Sequence, residues 1–111
     1  IEILEEYNTA LIHLNRDDLA RFHIKTGDTE GFVNFGLSIE GIKFSVLIVD
    51  RTKLVKMSFR SKGEFSCNEF AKKHFEGGGH KNAAGGQSTQ TLEATVERFL
   101  EVLKPYKEEL R

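Results

Sequence analysis

From Leu54 to Arg60, apolar and polar residues alternate with a period of two, which predicts a β-strand with one buried face. Its apolar face carries Val55, Met57 and Phe59, and its polar face carries Lys56, Ser58 and Arg60. The preceding segment, Ile42–Asp50, is mostly β-branched or aromatic and predicts the strongest strand. Its unbroken apolar run at 46–49 indicates a central strand covered on both faces. The four residues 50–53 predict a tight hairpin between the two strands.

The N-terminal half carries weaker signals. Thr9–Leu14 predicts a strand, and Asn15 predicts the N-cap of a short helix that ends near Phe22. Lys25–Glu30 is polar and contains a glycine, so we expect a loop. Gly31–Ile39 is ambiguous, because Phe32, Phe35 and Ile39 have helical spacing while Gly31 and Gly36 disfavour a helix.

Two clearer helices follow. Ser66 and Glu69 form a capping box that predicts a helix to about Phe75, with Phe70, Ala71 and His74 or Phe75 facing inward. Thr91–Lys104 predicts the last helix, whose apolar stripe is Leu92, Val96, Phe99, Leu100 and Leu103. Pro105 marks its end or a kink. We expect an α+β fold with a mixed or mainly antiparallel sheet of four to five strands and helices packed on it.

Composition narrows the class of protein. The 111 residues suit one domain, residues 1–111, and no internal repeat or linker divides them. The single cysteine excludes a disulfide framework and a cysteine-rich zinc module. No apolar run approaches the length of a membrane span, and no secretory signal is visible. We therefore expect a soluble, cytoplasmic protein with no membrane partner. The start at Ile1 suggests a piece of a longer chain.

Charge is unevenly distributed along the chain. The total is −1, which excludes a globally basic nucleic-acid coat protein and argues against a polybasic membrane-surface domain. Residues 51–81 hold eight Lys and Arg against three Glu, a net charge of +5. The rest holds eight against fourteen acidic residues, a net charge of −6. The basic centre favours an anionic ligand, although solvated Lys and Arg side chains would give the same count.

Two segments carry candidate chemistry. Five of the ten glycines fall within residues 77–86, where backbone N–H groups could approach an anion, above all if residues 80–84 open a helical turn. A flexible turn is the alternative. Ser58 and Arg60 lie two apart on one strand face, so a hydroxyl and a guanidinium could hold one phosphate. An ordinary exposed polar strand face is the alternative here.

These segments carry a resemblance. Ser58-Phe-Arg-Ser-Lys-Gly63, followed by Gly77-Gly-Gly-His-Lys-Asn-Ala-Ala-Gly85, resembles the C-terminal substrate-binding domain of DHH-family phosphoesterases. Asp28-Thr-Glu-Gly-Phe-Val-Asn34 resembles a further stretch of that domain. Within the family the chain is most similar to the nanoRNase/pAp-phosphatase group, hydrolases that cleave short oligoribonucleotides and remove the 3′-phosphate of pAp.

The resemblance implies a site and partners. It assigns substrate or phosphate binding to Ser58, Arg60, Gly77, Gly78, Gly79 and His80, with weaker contributions from Ser61 and Asn82. For Asp28, Glu30 and Asn34, helix capping or packing is an equally good interpretation. It places catalysis in a separate N-terminal domain, where an Asp-His-His motif and other residues hold two divalent metals, usually manganese; this sequence has no such motif. Expected partners are short single-stranded RNA or nucleotide phosphates, that N-terminal domain and, in a homodimer, a second copy.

Rival functions stay open. A cyclic-dinucleotide phosphodiesterase and a RecJ-like single-strand exonuclease use a similar domain, and alanyl-tRNA synthetases carry a related one that contacts tRNA or mediates dimerisation. The four histidines lack metal-ligand spacing, so we expect no metal bound by this chain. The resemblance implies that this chain holds no catalytic residue and binds no cofactor. Cys67 follows the predicted N-cap Ser66, and we expect a structural role for it.

Overall fold

The computed structural model describes the backbone of residues 1–111 and the side chains of all of them except Thr26. Six strands form one sheet in the order β1-β2-β3-β4-β6-β5. The strands are β1 (Glu2–Leu4), β2 (Thr9–Leu14), β3 (Phe44–Asp50), β4 (Val55–Ser61), β5 (Gly78–His80) and β6 (Ala83–Ser88). Neighbours are antiparallel except β2 and β3, which are parallel. The α+β class and the mixed sheet are confirmed.

Four helices cover the sheet. They are α1 (Arg16–Arg21), α2 (Thr26–Ser38), α3 (Cys67–His74) and α4 (Leu92–Leu103). The helices α1 and α2 connect the parallel strands β2 and β3, as a parallel crossover requires. A short 3-10 turn at Lys104–Tyr106 follows α4, so Pro105 lies just beyond the helix end. The expected strands, hairpin, α1, α3 and α4 are all present within about two residues of their predicted ends.

The core lies on both sides of β3. On one side, the larger cluster joins β3 and β4 to α3 and α4 and contains six phenylalanines: Phe44, Phe59, Phe65, Phe70, Phe75 and Phe99. On the other side, Leu47 and Val49 pack with Ile12 and with Val33 of α2. The apolar run at 46–49 is therefore buried on both faces, which confirms β3 as a central strand.

The prediction was wrong in three places. Lys25–Glu30 is not a loop, because α2 begins at Thr26, and the Asp28 carboxylate accepts the Lys25 N–H at 2.9 Å. The buried side of α2 is Val33 and Gly36, whereas Phe35 is 58% exposed. Gly36 permits this contact, since a Cβ there would overlap the Ser45 hydroxyl.

The other two corrections concern the sheet. Six strands replace the four to five expected, because the three-residue edge strands β1 and β5 are too short to leave a hydrophobic pattern. Residues 80–84 do not open a helical turn; they form the end of β5, a two-residue turn and the start of β6. Pairing of β5 with β6 extends the sheet past β4, and this extension positions the candidate site.

Candidate phosphate-binding site

Side chains of β4 alternate between the buried core on one sheet face and a polar surface on the other. The side chains of Val55, Met57 and Phe59 are buried, whereas those of Lys56, Ser58 and Arg60 alternate with them and are exposed or half-buried. On β6 the polar side chains lie opposite Gln87, Gly85 and Ala83, in that order. Ser58 and Arg60 therefore share a sheet face with three residues that have small or uncharged side chains.

This polar face is open where it extends past α2. A depression of about 300 Å³ lies over the glycines of β5 and β6. It is lined by Lys56, Met57, Glu76, Gly77, Gly78, Gly85, Gly86 and Gln87. The strand row that contains Ser58 continues through Gly85 to Gly78, so backbone rather than side chains forms the floor beside the Ser58 hydroxyl. A ligand can approach the backbone closely here.

Arg60 is the cation that the fold holds in place on this face. Its side chain is 21% exposed, and one guanidinium nitrogen, Nη1, donates to the Phe59 carbonyl oxygen at 3.0 Å. The other, Nη2, lies 3.7 Å from the Glu30 carboxylate on α2. Two of the five guanidinium N–H groups can satisfy these contacts, so donors remain for a ligand.

His80, on the edge strand β5, lies in the row of paired residues that contains Arg60. It pairs with Ala83, which in turn pairs with Arg60, so the register places His80 and Arg60 on one sheet face. The His80 side chain is exposed and has no hydrogen bond within the part of the chain whose side chains are described. The Ser58 hydroxyl likewise has no partner among the described residues. Both groups are available to a ligand.

The three glycines at 77–79 serve the fold as well as the surface. The Gly77 N–H donates to the Ala71 carbonyl at 3.2 Å, at the end of α3, and the Gly79 N–H donates to Asn68 Oδ1 at 2.8 Å. A Cβ on Gly77 would overlap the Gly85 carbonyl oxygen. Gly78 has a φ of +152°, a conformation that favours glycine. The Gly77 and Gly79 N–H groups are therefore internally bonded.

Ser61 and Asn82 are not brought to the polar face. Ser61 is buried on the α3 side, where its hydroxyl donates to the Phe65 carbonyl at 2.7 Å and accepts from the Asn82 amide at 3.0 Å. Asn82 also donates to the Gly63 carbonyl at 3.3 Å. These bonds fix the turn between β5 and β6 against the end of β4. Lys81 pairs with Glu64 at 2.9 Å, and this hydrogen bond lowers the pKa of the Glu64 carboxyl.

The stretch 28–34 contributes one residue that the expected site set lacked. Asp28 caps α2, and Glu30 contacts Arg60. Asn34 follows Glu30 by four residues and lies on the same flank of α2. Lys56 and Gln87 also line the depression. The alternation of β4 indicates Lys56, but the contact between Glu30 and Arg60 depends on how α2 crosses the sheet.

The remaining titratable groups lie apart from this face. Cys67 is buried, and burial raises the pKa of its thiol. His74 Nε2 lies 2.8 Å from the Tyr106 hydroxyl, and His13 lies 3.5 Å from Glu2 at the surface. Within the described side chains, no three His, Cys, Asp or Glu converge as a metal site would require, so these residues do not fit a divalent metal.

The described helices include none that is both long enough and apolar enough to cross a membrane.

Several solved structures share the fold of this chain. The chain is similar in structure to an exopolyphosphatase-related protein from Bacteroides fragilis, with 42% identity and a TM-score of 0.92 over 98% of this chain and 32% of that one. This chain therefore spans about a third of that protein's length. A pGpG-specific phosphodiesterase from Vibrio cholerae shares the fold at 16% identity, with a TM-score of 0.64 over 95% of this chain and 34% of the other.

The fold also occurs outside hydrolases. The C-Ala domain of alanyl-tRNA synthetase from Aquifex aeolicus matches at 12% identity, with a TM-score of 0.61 over 92% of this chain and 89% of that domain. No curated protein matches this chain in sequence. The DHHA1 domain model, by contrast, matches residues 10–109, nearly the whole chain. The chain therefore belongs to the DHHA1 domain family, the domain found in DHH-family phosphoesterases.

Proposed function

We propose that this domain holds a phosphate of a short oligoribonucleotide, or of pAp, for hydrolysis by a DHH-type phosphoesterase. The observation that supports the proposal is the strand register, which places Ser58, Arg60 and His80 on one sheet face beside a glycine-lined depression. Arg60 supplies a planar fork of donors, which suits a phosphate better than a lysine would. Ser58 on β4 and His80 on the edge strand β5 add donors on the same sheet face.

The charge of this face suits a small substrate. It combines Arg60 and Lys56 with the neutral side chains of Ser58 and Gln87, and Glu30 borders it. Binding of a long polyanion depends on many phosphate contacts spread over a surface, and this cleft offers few. One or two phosphates held in a cleft match it better.

The role assigned to this chain is binding and orientation. Fixing the phosphate relative to an attacking water removes part of the entropic barrier of hydrolysis. The resemblance assigns two divalent metals, expected to be manganese, to a separate domain that would supply the water nucleophile. The described residues of this chain do not fit such metals, so we assign it no part in activating water.

Inorganic polyphosphate is the second candidate substrate. The relative with 42% identity is described as exopolyphosphatase-related, which favours a terminal phosphate of a phosphoanhydride chain. The same three side chains, Arg60, Ser58 and His80, would bind that terminal phosphate. Cyclic dinucleotides, pGpG and single-stranded DNA are further alternative substrates. The hydrolysis assay described next distinguishes among them.

The test uses the protein at its natural length. It compares several substrates in the wild-type protein and in the variant Arg60→Ala. Hydrolysis is measured with a diribonucleotide, pAp, pGpG, a cyclic dinucleotide, single-stranded DNA and polyphosphate. Arg60→Ala should weaken binding of the preferred substrate by about 1.5–3 kcal/mol, the scale of a hydrogen bond to a charged group. Arg16→Ala is the matched control, because Arg16 is an exposed arginine 3.6 Å from the Asp50 carboxylate.

Two results would contradict the proposal. One is a preference for any other substrate over diribonucleotide and pAp. The other is equal substrate affinity in Arg60→Ala and Arg16→Ala. The 111-residue chain alone should bind a mononucleotide weakly and hydrolyse none of these substrates, and a titration in manganese checks both expectations.

A further inference from the structure

The carboxylate of Glu30 borders the proposed phosphate site. Glu30 Oε1 lies 3.7 Å from Arg60 Nη2, and the Glu30 side chain is 70% exposed, so solvent and ligands reach it. Glu30 lies on the surface and does not need the pair for burial of its charge, whereas the Arg60 side chain, 21% exposed, gains a nearby opposite charge from it. Solvent reaches the Glu30 carboxylate and weakens its attraction to Arg60. Its position beside Arg60, the proposed phosphate-binding arginine, leaves the Glu30 carboxylate accessible to a ligand bound there.

The orientation of α2 fixes where Glu30 lies. Val33 and Gly36 form the buried side of the helix against β2 and β3. The flank with Gly31 and Phe35 lines an apolar cleft beside β2. Glu30 is on the opposite flank, toward β4, where it contacts Arg60. It therefore lies beside Arg60 on the sheet face that also carries His80, two strands away on the edge strand.

The Glu30 carboxylate beside Arg60 limits which ligands can bind there. A phosphate bound to Arg60 would be a second anion next to the Glu30 carboxylate, and two like charges at this range repel. A hydrogen-bond donor on the ligand, between phosphate and carboxylate, removes this penalty. A ribose supplies that donor, because the 2′-hydroxyl is on the carbon next to the one that bears the 3′-phosphate. A 2′-deoxyribose and inorganic polyphosphate lack it.

We infer that Glu30 selects ribonucleotides by accepting a hydrogen bond from the 2′-hydroxyl next to the phosphate held by Arg60. The inference rests on the proposed function and adds the group that discriminates RNA from DNA. It also gives a physical reason to prefer a nucleotide over polyphosphate. If Glu30 served only to orient Arg60, its removal would weaken all phosphate ligands equally.

The experiment measures equilibrium affinity in the protein at its natural length, without added divalent metal so that hydrolysis does not interfere. The ligands are pAp, its 2′-deoxy counterpart and inorganic phosphate. The wild-type protein should prefer pAp over the deoxy compound by about tenfold, the scale of one hydrogen bond to a charged group. In Glu30→Ala the ratio should fall to about one, and inorganic phosphate should bind more tightly than to wild type. Glu97→Ala, an exposed glutamate on α4, is the control and should keep the wild-type ratio.

The outcomes separate the inference from the proposed function. An unchanged ratio in Glu30→Ala overturns the inference, and so does an equal loss of affinity for all three ligands. Arg60→Ala should weaken pAp and deoxy-pAp together. If wild type binds neither nucleotide, or Arg60→Ala changes nothing, the proposed function itself fails. Thermal unfolding of each variant verifies that the fold is intact.

Discussion

Arg60 on β4 and His80 on β5 lie in one register row, two strands apart, with Ala83 of β6 between them. Two strand spacings separate their Cα atoms by about 9–10 Å. The small side chain of Ala83 leaves the space between the guanidinium and the imidazole open. A phosphate placed there can receive donors from both sides, and the row thus connects two segments that are twenty residues apart in sequence.

Filling that space should block the site without unfolding the protein. Ala83→Leu places a larger side chain between Arg60 and His80 on the half-buried polar face. We expect mononucleotide affinity to fall by at least about tenfold, which corresponds to ~1.4 kcal/mol. Ala20→Leu, an exposed position on α1, adds the same apolar bulk elsewhere as a control. Calorimetric titration measures the affinities, and equal binding by both variants would refute the role of the row.

Alanine substitution should affect two glycines near the site differently. One variant should lose stability, and the other should lose nucleotide affinity. In Gly77→Ala the new Cβ overlaps the Gly85 carbonyl oxygen, so backbone must shift, and we expect a loss of about 1–3 kcal/mol in the free energy of unfolding. In Gly85→Ala the new Cβ meets only the Met57 carbonyl oxygen at 3.5 Å, an ordinary contact. That variant should keep its stability and weaken nucleotide binding by covering the floor.

Denaturant unfolding and nucleotide titration of both glycine variants check this contrast. Equal stability of the two would mean that β5 can move away from β6 at little cost. Undiminished nucleotide binding by Gly85→Ala would mean that the glycine floor is not part of the ligand site.

Short-range signals made much of the fold predictable. Asn15 caps α1 by accepting the Asp18 N–H at 2.7 Å, and Ser66 caps α3 by accepting the Glu69 N–H at 3.2 Å. Such capping patterns involve residues three apart and can be recognised in the amino-acid sequence. The start of α2 was not predicted, because Gly31 and Gly36 lower helix propensity while the packing of Gly36 on Ser45 depends on the sheet.

The site was predictable only in part, for a similar reason. A period of two places Ser58 and Arg60 on one face whatever the fold. That His80 shares this face depends on the strand order β4-β6-β5, which is a non-local property. Glu30 next to Arg60 depends on the crossing of α2 over the sheet. The glycine run favoured anion binding in sequence, yet the Gly77 and Gly79 N–H groups have internal partners.

The thiol of Cys67 should be unreactive in the folded protein. Its side chain is fully buried, and burial raises the pKa of the thiol, although the Ser61 hydroxyl and the Arg60 charge oppose this shift. Since the thiolate is the reactive form, alkylation by iodoacetamide at pH 8 should be negligible in native buffer and complete in denaturant. Mass spectrometry measures the modified fraction. Rapid native alkylation would show that the N-terminus of α3 opens readily to solvent.

Acidification should destabilise the fold through His74. Burial among Phe70 and Tyr106 lowers the pKa of its imidazole below the ordinary value of about 6.5, and the charges of Lys73 and Arg98 lower it further. The unfolded chain therefore takes up a proton that the folded chain resists, so the free energy of unfolding falls as pH drops through about 6.5 toward the lower folded value. Above that range both states hold a neutral imidazole, and His74 contributes no pH dependence. Urea unfolding at pH 7.5 and pH 5.0 should show a larger loss of stability in wild type than in His74→Gln, which keeps a hydrogen-bonding group near Tyr106. The other three histidines are present in both proteins, so equal losses would mean that the His74 imidazole is charged as easily in the folded as in the unfolded chain.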